Sequence, residues 1–353
     1  MGCREEFASI LNNTKLNNNA SKEEFNQVMQ PLMQFIWNKA PSTLYKFREC
    51  SEYSFDAFAK DEIWLSKAKL FNDLHDSLIF FDKQAILDYT QKILTLPNLQ
   101  NTLTDLKSEE GPLEHMVFSN PEVKKQIVEK LNLLGEQGIL NILSDFLQRF
   151  DVFLEQAFSE LKESVRNQTK MACFSGNIKS PLMWAHYANN NKGFAIGYDF
   201  RGGDISQCSF CPNRSCGKIR LATIYPMIYS DRRFDATAYG MWQIEQYIKR
   251  NIGIQTETDF DDPLLALRIA LYKSNDWAYE DEWRIICSTP DPFDNQSDRY
   301  PISKKPIAIY FGCQIPNIYR EMLIHIADKK GIAKYQMYVK DDSQKYELDF
   351  RPI

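Results

Sequence analysis

The sequence predicts an α+β fold, and three observations lead to that prediction. Apolar residues recur at helical spacing in some segments and alternate or run together as in strands in others. The two kinds of segment are interleaved, but not in the regular βα units of a doubly wound sheet. The chain has 353 residues and is 44% hydrophobic, which is enough material for a buried core in one large or two modest domains.

Residues 1–42 are predicted as an N-terminal helical region. Ser21 and Glu24 form a capping-box pattern ahead of a segment with apolar residues at helical spacing. Pro41 ends this helix because proline cannot continue the hydrogen-bond ladder. The first strand of the main domain is predicted to follow at 43–48, from its alternating side chains.

The main α+β domain is predicted to span residues 43–340, with a helical insertion at about 84–168. A loop rich in Gly and Cys at 201–217 and a C-terminal tail at 341–353 complete the organisation. The predicted strands are 43–48, 62–66, 170–175, 194–200, 221–229, 279–287, 307–312 and 333–339, and the predicted helices after the insertion are 182–188, 237–250, 263–273 and 316–330.

Charge and hydropathy restrict the class of protein. The 42 basic and 47 acidic residues give a net charge of −5, so no strongly basic field indicates nucleic-acid binding, although a local basic groove is not excluded. No stretch is long and apolar enough to span a bilayer, and no signal segment is recognised. The prediction is a cytoplasmic protein without a membrane partner, whose eight cysteines are thiols.

The most informative feature is a pair of carboxylates, Glu280 and Glu282, one residue apart among aromatic residues. If 279–287 is a strand, the two side chains point to the same face, where like charges repel and folding alone does not favour them. Such a pair can stabilise an oxocarbenium-like transition state and position an acceptor, so it is the predicted catalytic pair. The alternative is that the pair only forms ion pairs with Lys273 and Arg284.

Candidate binding residues lie on the first predicted strand. Tyr45 and Phe47 share one face, and Lys46 and Arg48 share the other. The two cations either bind a phosphate or are simply solvated, and spacing does not decide between these interpretations.

A second group follows the strand that ends at Ser175, which a turn could place at the rim of a pocket. Trp184 and Tyr187 form either a stacking wall for a flat ring or part of the core. His186 is more readily explained as a capped or solvent-facing histidine than as a catalytic base. With four histidines in the chain, a histidine metal cluster is not predicted.

A half-formed zinc signal occurs in the Cys-rich loop. Cys208, Cys211 and Cys216 have knuckle-like spacings, but a fourth ligand is missing from the motif. That ligand could be Cys173, His186 or Asp204. A chance cluster is the favoured interpretation, so zinc is not predicted. No Walker loop, dinucleotide fingerprint, HExxH or GxSxG motif occurs, which argues against the commonest NTPases, dehydrogenases, zincins and hydrolases.

Several segments, taken in order along the chain, carry a family resemblance. The most specific is Trp277-x-Tyr-Glu-x-Glu-Trp-Arg284. The supporting segments are 44–47, 64–66, 71–73, 173–175, 183–187, 193–199, 228–229 and 309–312. Together they resemble the bacterial domain-of-unknown-function family twenty-nine seventy-one over about residues 43–340. Leu74 and His75 depart from the pattern, because the family usually has Pro and an aromatic residue there.

The layout also resembles the ADP-ribosyltransferases that act on DNA in toxin–antitoxin systems. The counterparts in this chain are Tyr45 and Lys46, the segment 180–184 with Tyr187, and Glu282 on a late strand. Arginine-specific transferases likewise use a Glu-x-Glu. This resemblance implies an ADP-ribosyltransferase-like split β-sheet core, with NAD as the substrate.

The same resemblance implies a role for each candidate residue. Glu282 would hold the nicotinamide-ribose hydroxyl and stabilise the oxocarbenium, and Glu280 would orient or deprotonate the acceptor. Lys46 and Arg48 would contact the pyrophosphate. Trp184 and Tyr187 would form a wall beside the nicotinamide, and Ser175 would lie at the rim of the pocket. Glu282→Gln is then expected to abolish turnover and leave the fold intact.

The predicted function is therefore NAD-dependent ADP-ribosyl transfer to an unknown acceptor, nucleic acid or protein, in a role such as that of a bacterial toxin or a phage-defence protein. Two alternatives stay open at this point. The first is an NAD or nucleotide glycohydrolase, in which water is the acceptor. The second is a non-catalytic module whose pocket senses a nucleotide and whose helical insertion binds a partner.

Overall fold

Ten strands form one mostly antiparallel sheet in the computed structural model, which describes residues 2–16, 20–93, 121–201, 223–251, 260, 262–288 and 299–353. The strands are β1 (Leu44–Arg48), β2 (Glu62–Lys67), β3 (Ile79–Phe80), β4 (Thr169–Ser175), β5 (Phe194–Tyr198), β6 (Thr223–Pro226), β7 (Ile228–Ser230), β8 (Phe234–Asp235), β9 (Tyr272–Ser274), β10 (Glu282–Ser288), β11 (Arg299–Ser303), β12 (Ala308–Phe311), β13 (Ala333–Val339) and β14 (Leu348–Pro352). The pairs β3–β8 and β7–β9 form two small parallel ribbons outside the main sheet.

The described helices are α1 (Cys3–Asn13), α2 (Lys22–Lys39), α3 (Glu52–Ala59), α4 (Lys83–Ile93), α5 (Pro121–Gln168), α6 (Pro181–Tyr187), α7 (Thr237–Asn251), α8 (Leu265–Leu271) and α9 (Asn317–Lys330). Two 3₁₀ turns, Ala68–Leu70 and Asn275–Glu280, join them. Helices and antiparallel strands in this arrangement confirm the α+β class. None of the described helices is long and apolar enough to cross a membrane.

The sheet splits at β4. On one edge β4 pairs with β10 along its whole length. The opposite edge is shared by two strands, because β2 pairs only with residues 170–171 and β1 only with Ser175. Residues 172–174 therefore face a gap between β1 and β2, and this gap holds the candidate site described below.

The N-terminal helices pack into the main core. Phe7 and Leu11 of α1 and Leu32 of α2 are fully buried in the same apolar cluster as β4, β5 and β10. The Ser21 side chain accepts from the backbone N–H of Glu24, and the Glu24 carboxylate accepts from the backbone N–H of Ser21. The predicted capping box is therefore confirmed. Helix α1 lies in the predicted helical region 1–42, but its bounds were not predicted, because its short apolar stripe lacks a capping signal and gains its stability from this burial.

A second apolar cluster joins α4, α5 and α7. Phe150, Leu154 and Val165 of α5 pack there with Ile86 and Ile244. Helices α4 and α5 lie where the helical insertion was predicted, and α7 corresponds to the helix predicted at 237–250. The predicted domain boundaries themselves stay a prediction. At the C-terminal end, part of the segment predicted as a tail forms β14, which pairs antiparallel with β13.

Two predicted elements near the site are wrong in their bounds. The strand expected at 279–287 begins only at Glu282, because residues 275–280 form a 3₁₀ turn. The helix expected at 263–273 is confined to Leu265–Leu271, since the chain then extends into β9. Helix α3 was also missed.

Candidate functional site

A cavity of about 550 Å³ occupies the split in the sheet. We call it the split cavity. Its volume lies within the range of roughly 300–1,000 Å³ that is usual for small-molecule sites. Strand β1 forms one wall, β2 and the start of β11 form the other, residues 171–175 of β4 lie between them, and the carboxylates Glu280 and Glu282 close one end.

Both carboxylates meet at one ammonium group. Lys273 Nζ lies 2.5 Å from Glu280 Oε2 and 2.8 Å from Glu282 Oε2. The predicted common direction of the two carboxylates is right, but the reason is not strand alternation. Glu280 ends a 3₁₀ turn, and Asp281 has a left-handed φ of 45° that redirects the chain before Glu282 begins β10.

Arg284 extends this contact into what we call the buried ion cluster, which comprises Asp76, Lys273, Glu280, Glu282 and Arg284. The Arg284 side chain is fully buried and donates from Nε to Glu282 Oε1 at 2.6 Å and from Nη1 to Asp76 Oδ1 at 2.9 Å. The alternative interpretation of the sequence, ion pairing with Lys273 and Arg284, is thus observed, although in the interior rather than at an exposed edge.

The cluster separates the pKa values of its two glutamates. Burial, and then the charge of Glu282, raises the pKa of Glu280 to about 7 against the pull of Lys273. Burial alone would also raise the pKa of Glu282, but Arg284 and Lys273 outweigh it and hold that pKa well below its usual range. Near neutral pH, therefore, Glu282 is a permanent anion and Glu280 is the carboxyl group that can gain or lose a proton.

Tyr187 connects Glu280 to the open part of the cavity. Its hydroxyl donates to Glu280 Oε1 at 2.5 Å and accepts from Asn72 Nδ2 at 3.2 Å. The exposed His186 lies beside it, with Nδ1 2.9 Å from the hydroxyl of Tyr279. Tyr187 is thus placed at the site as predicted, but its hydroxyl rather than its ring face makes the contact with the carboxylate.

The β1 cations, Lys46 and Arg48, line the wall of the cavity. Lys46 Nζ donates to the carbonyl oxygen of Cys173 at 3.0 Å, which is a backbone group at the split. Burial, and then the charge of Arg48, lowers the pKa of Lys46 to about 7. Burial, opposed by Tyr198, also lowers the pKa of Arg48. Among the described residues, neither β1 cation forms a salt bridge with a carboxylate.

Other predicted site residues fall in different places. Ser175 is buried at the cavity, where its Oγ accepts from the backbone of Asn177 at 3.0 Å. Tyr45 lines the cavity and packs edge-on against Tyr310 at 5.3 Å between ring centroids. The assignment of Trp184 to a stacking wall is wrong. Its ring is fully buried, and its Nε1 donates to a backbone carbonyl at 2.7 Å.

The zinc candidates Cys208, Cys211 and Cys216 lie outside the described residues. Within the part of the chain that the structure describes, no group of three or more His, Cys, Asp or Glu is arranged to hold a metal ion. Asn72 and Asp76 are among the residues of the site that were not singled out from the sequence as site residues. Both follow β2 and are distant in sequence from their partners, so no local pattern indicates their role.

Arg4 of helix α1 contacts the segment that carries the two glutamates. The guanidinium donates to the carbonyl oxygens of Met227 and Glu282 at 2.7 and 2.9 Å and to Asp281 Oδ1 at 2.5 Å. It also lies over the ring of Tyr229 at 4.9 Å, and the Tyr229 hydroxyl accepts from the Glu282 backbone N–H at 2.8 Å. Arg4 therefore holds the Asp281 side chain and the Glu282 backbone in place.

Replacing Arg4 by Gln is expected to lower the free energy of unfolding by about 1–3 kcal/mol, because partly buried carbonyl acceptors lose a charged donor. Urea denaturation measures this change. Lys15→Gln is the matched control, since it removes a positive charge from an exposed position in the same N-terminal region. If Arg4→Gln unfolded at the same urea concentration as Lys15→Gln, Arg4 would not stabilise this turn.

Comparison with known families adds one finding. Residues 183–285 match the model of a family described as "Protein of unknown function (DUF2971)". The matched segment contains Tyr187, Lys273, Glu280, Glu282 and Arg284, so it covers most of the carboxylate end of the cavity. The DUF2971 match supports the family resemblance over these residues, and its description states no activity. No curated protein and no solved structure matches the chain.

Proposed function

We propose that the split cavity binds NAD and transfers its ADP-ribosyl group to an acceptor. One observation carries this proposal. The β1 cations and Glu280, a carboxylate whose pKa is raised to about 7, line the same cavity. Half-buried cations without a carboxylate partner among the described residues favour an anionic ligand such as a pyrophosphate. A proton-accepting carboxylate suits activation of an acceptor hydroxyl, amine or amide.

The charge of the buried ion cluster suits the chemistry of a glycosidic bond. Its three carboxylates and two cations leave one net negative charge when Glu280 is ionised. As the bond from ribose C1′ to the nicotinamide nitrogen breaks, positive charge develops on the ribose, and a fixed anionic environment stabilises it. The nicotinamide leaves with the bonding electron pair, and C1′ forms its new bond with the acceptor.

The two glutamates receive different roles in this proposal. Glu280 accepts the proton that the acceptor loses. Both oxygens of Glu282 accept from cations, whereas Glu280 accepts from one cation, Lys273, and from the neutral hydroxyl of Tyr187. Glu282 therefore contributes charge and holds Lys273 and Arg284 rather than gripping a ribose hydroxyl. Tyr187 and Asn72 orient Glu280 from the open side. The division of the sheet at β4 supports the finer architecture of the proposal, an ADP-ribosyltransferase-like core.

The first experiment is to measure nicotinamide release from NAD by the wild-type protein, alone and with DNA, RNA or cell-lysate protein. Release that requires one of these polymers, with label transferred to it, identifies the acceptor class. Release without any acceptor favours the glycohydrolase alternative, in which water takes the acceptor position. Folded protein that releases no nicotinamide under any of these conditions contradicts the proposal.

A non-catalytic nucleotide-sensing module is the second candidate, and one observation favours it. The carboxylates Glu280 and Glu282 already accept hydrogen bonds from Lys273, Arg284 and Tyr187, as they would in a purely structural cluster. Stoichiometric binding of NAD with no turnover would support this candidate. A role in toxicity or phage defence belongs to the transferase proposal and is tested by growth arrest on expression in bacteria.

We expect a bell-shaped dependence of kcat/KM on pH, with both limbs near pH 7. Glu280 must be ionised to accept a proton, so activity falls as the pH drops through its pKa of about 7. Lys46 must be protonated to bind a phosphate, so activity falls as the pH rises through its pKa of about 7. Lys46→Arg is expected to move the alkaline limb upward and leave the acid limb in place. An alkaline limb unchanged in Lys46→Arg would remove Lys46 from the binding site.

A further inference from the structure

Trp64 presents an exposed aromatic surface inside the split cavity. It lies on β2 between Ile63 and Leu65, which are fully buried on the opposite face of the strand, whereas the Trp64 side chain is 39% exposed. A large apolar surface that lines a cavity and remains in contact with water gains free energy when a flat ring covers it. Trp64 is therefore a candidate for ligand contact.

The pairing of β2 with β11 places polar groups beside this ring. Trp64 is opposite Pro301 and Ser66 is opposite Arg299, so these four residues share one face of the sheet. Arg299 and Arg48 line the same cavity, close enough for the charge of Arg299 to lower the pKa of Arg48 further, after burial. A planar apolar surface next to clustered guanidinium groups suits a ligand that combines an aromatic ring with phosphate.

Further apolar surface comes from the turn that follows β2. Leu70, which is 45% exposed, and the half-buried Phe71 also line the cavity. At the α6 end, Trp184 is inside the core, and Tyr187 is held by the hydrogen bond from its hydroxyl to Glu280. The part of the cavity suited to a ring is therefore the β2 side.

We propose that Trp64 is the stacking surface for the nucleobase of the bound nucleotide, with its phosphates on the β1 cations. This assignment rests on the proposed function for the class of ligand, a nucleotide, but it does not depend on catalysis. In this arrangement the base and the phosphates lie on the β2 and β1 walls, and the ribose that reacts is directed toward Glu280.

Calorimetric titration with ADP and with inorganic pyrophosphate tests the assignment, because only ADP carries a base. The wild-type protein is expected to bind ADP more tightly than pyrophosphate. Trp64→Ala is expected to weaken ADP binding by about 10-fold to 100-fold, as is usual for loss of base stacking, and to leave pyrophosphate binding unchanged. Trp64→Phe is expected to keep most of the ADP affinity, which also shows that the site has folded.

Trp37→Ala is the matched control, since Trp37 is 62% exposed on α2 and lies outside the cavity. The assignment is overturned if Trp64→Ala binds ADP like Trp37→Ala, if ADP and pyrophosphate bind the wild type equally, or if neither binds. The proposed function fails separately. If ADP binding depends on Trp64 but no nicotinamide is released, the base site is retained and the transferase is rejected. If NAD is turned over equally by wild type and Trp64→Ala, the transferase is retained and the base site is rejected.

Discussion

Glu280→Gln is expected to reduce the rate of nicotinamide release by about 10²-fold to 10⁴-fold, the usual contribution of a general base. The substitution preserves the shape of the side chain and removes the proton-accepting carboxylate. Its single amide oxygen can replace only one of the two oxygens that accept from Tyr187 and Lys273. The measurement is single-turnover release of nicotinamide at pH 7, near the expected optimum, where part of the wild-type Glu280 is ionised and part of Lys46 is protonated.

The same variant is expected to keep or gain stability, and the sign follows from the raised pKa. Glu280 favours its protonated form in the folded protein, so its stabilising contribution is complete below the unfolded pKa of roughly 4.3. That contribution is lost as the pH rises through its pKa of about 7. Gln cannot lose a proton, so Glu280→Gln should unfold at a higher urea concentration than wild type at pH 8 and at nearly the same concentration at pH 5.

Glu282→Gln is the matched control, because the same change is made two residues further along the chain. The sequence alone suggests that this variant keeps its fold and loses turnover. The structure changes that expectation, since the Gln variant would leave Arg284 and Lys273 without the anion between them. Its main expected effect is lost stability. If Glu280→Gln instead retained full activity, the assignment of Glu280 as the base would be wrong.

The strands that carry the site were predictable because their signals are local. Residues 43–48 alternate as a half-buried strand does, and β4 is an apolar run, so both elements are observed close to their predicted bounds. Residues 279–281 were mispredicted as strand because the 3₁₀ turn extends to Glu280 and Asp281 is left-handed, and an aspartate in sequence gives no firm indication of that conformation.

The composition of the site was only half predictable, for a related reason. Lys273 and Arg284 were recognised as partners because they are neighbours of the glutamates in sequence. Asp76 and Arg4 were not, because each contacts the glutamate segment across more than 200 residues of chain. Trp184 was misplaced because helical spacing does not distinguish a core aromatic residue from one in a pocket wall, and only the path of the chain places its Nε1 beside a buried carbonyl.

Arg284→Met is expected to cause the largest loss of stability of any substitution considered, about 3–5 kcal/mol or more. Burial of an ion pair is weakly stabilising at best, but removal of one partner leaves an uncompensated buried charge. Arg284 compensates two carboxylates, those of Asp76 and Glu282, and also donates to the carbonyl oxygen of Ala270 at 2.8 Å. Urea denaturation at pH 7 measures the change.

A double-mutant cycle separates the loss of the ion pair from the loss of packing. Asp76→Asn alone should destabilise the protein, whereas adding it to Arg284→Met should cost less than it does in the wild type, because the carboxylate is then no longer left unmatched. Asp56→Asn is the control, since it removes an exposed salt bridge to Lys60 and should change stability by only about 0–1 kcal/mol. Strict additivity of the two cluster substitutions would contradict a coupled ion pair.

The acid limit of stability follows from the same cluster. The pKa of Glu282 is held below its usual range by Arg284 and Lys273 against the effect of burial, so its stabilising contribution is present above the unfolded pKa of roughly 4.3 and is lost as the pH falls toward the folded value. Arg284→Met removes the first of these cations and should flatten the dependence below pH 5. Two glutamates that differ by two positions in sequence thus have opposite expected pH dependences, and this difference is why we propose Glu280 as the reactive carboxyl group and Glu282 as its support.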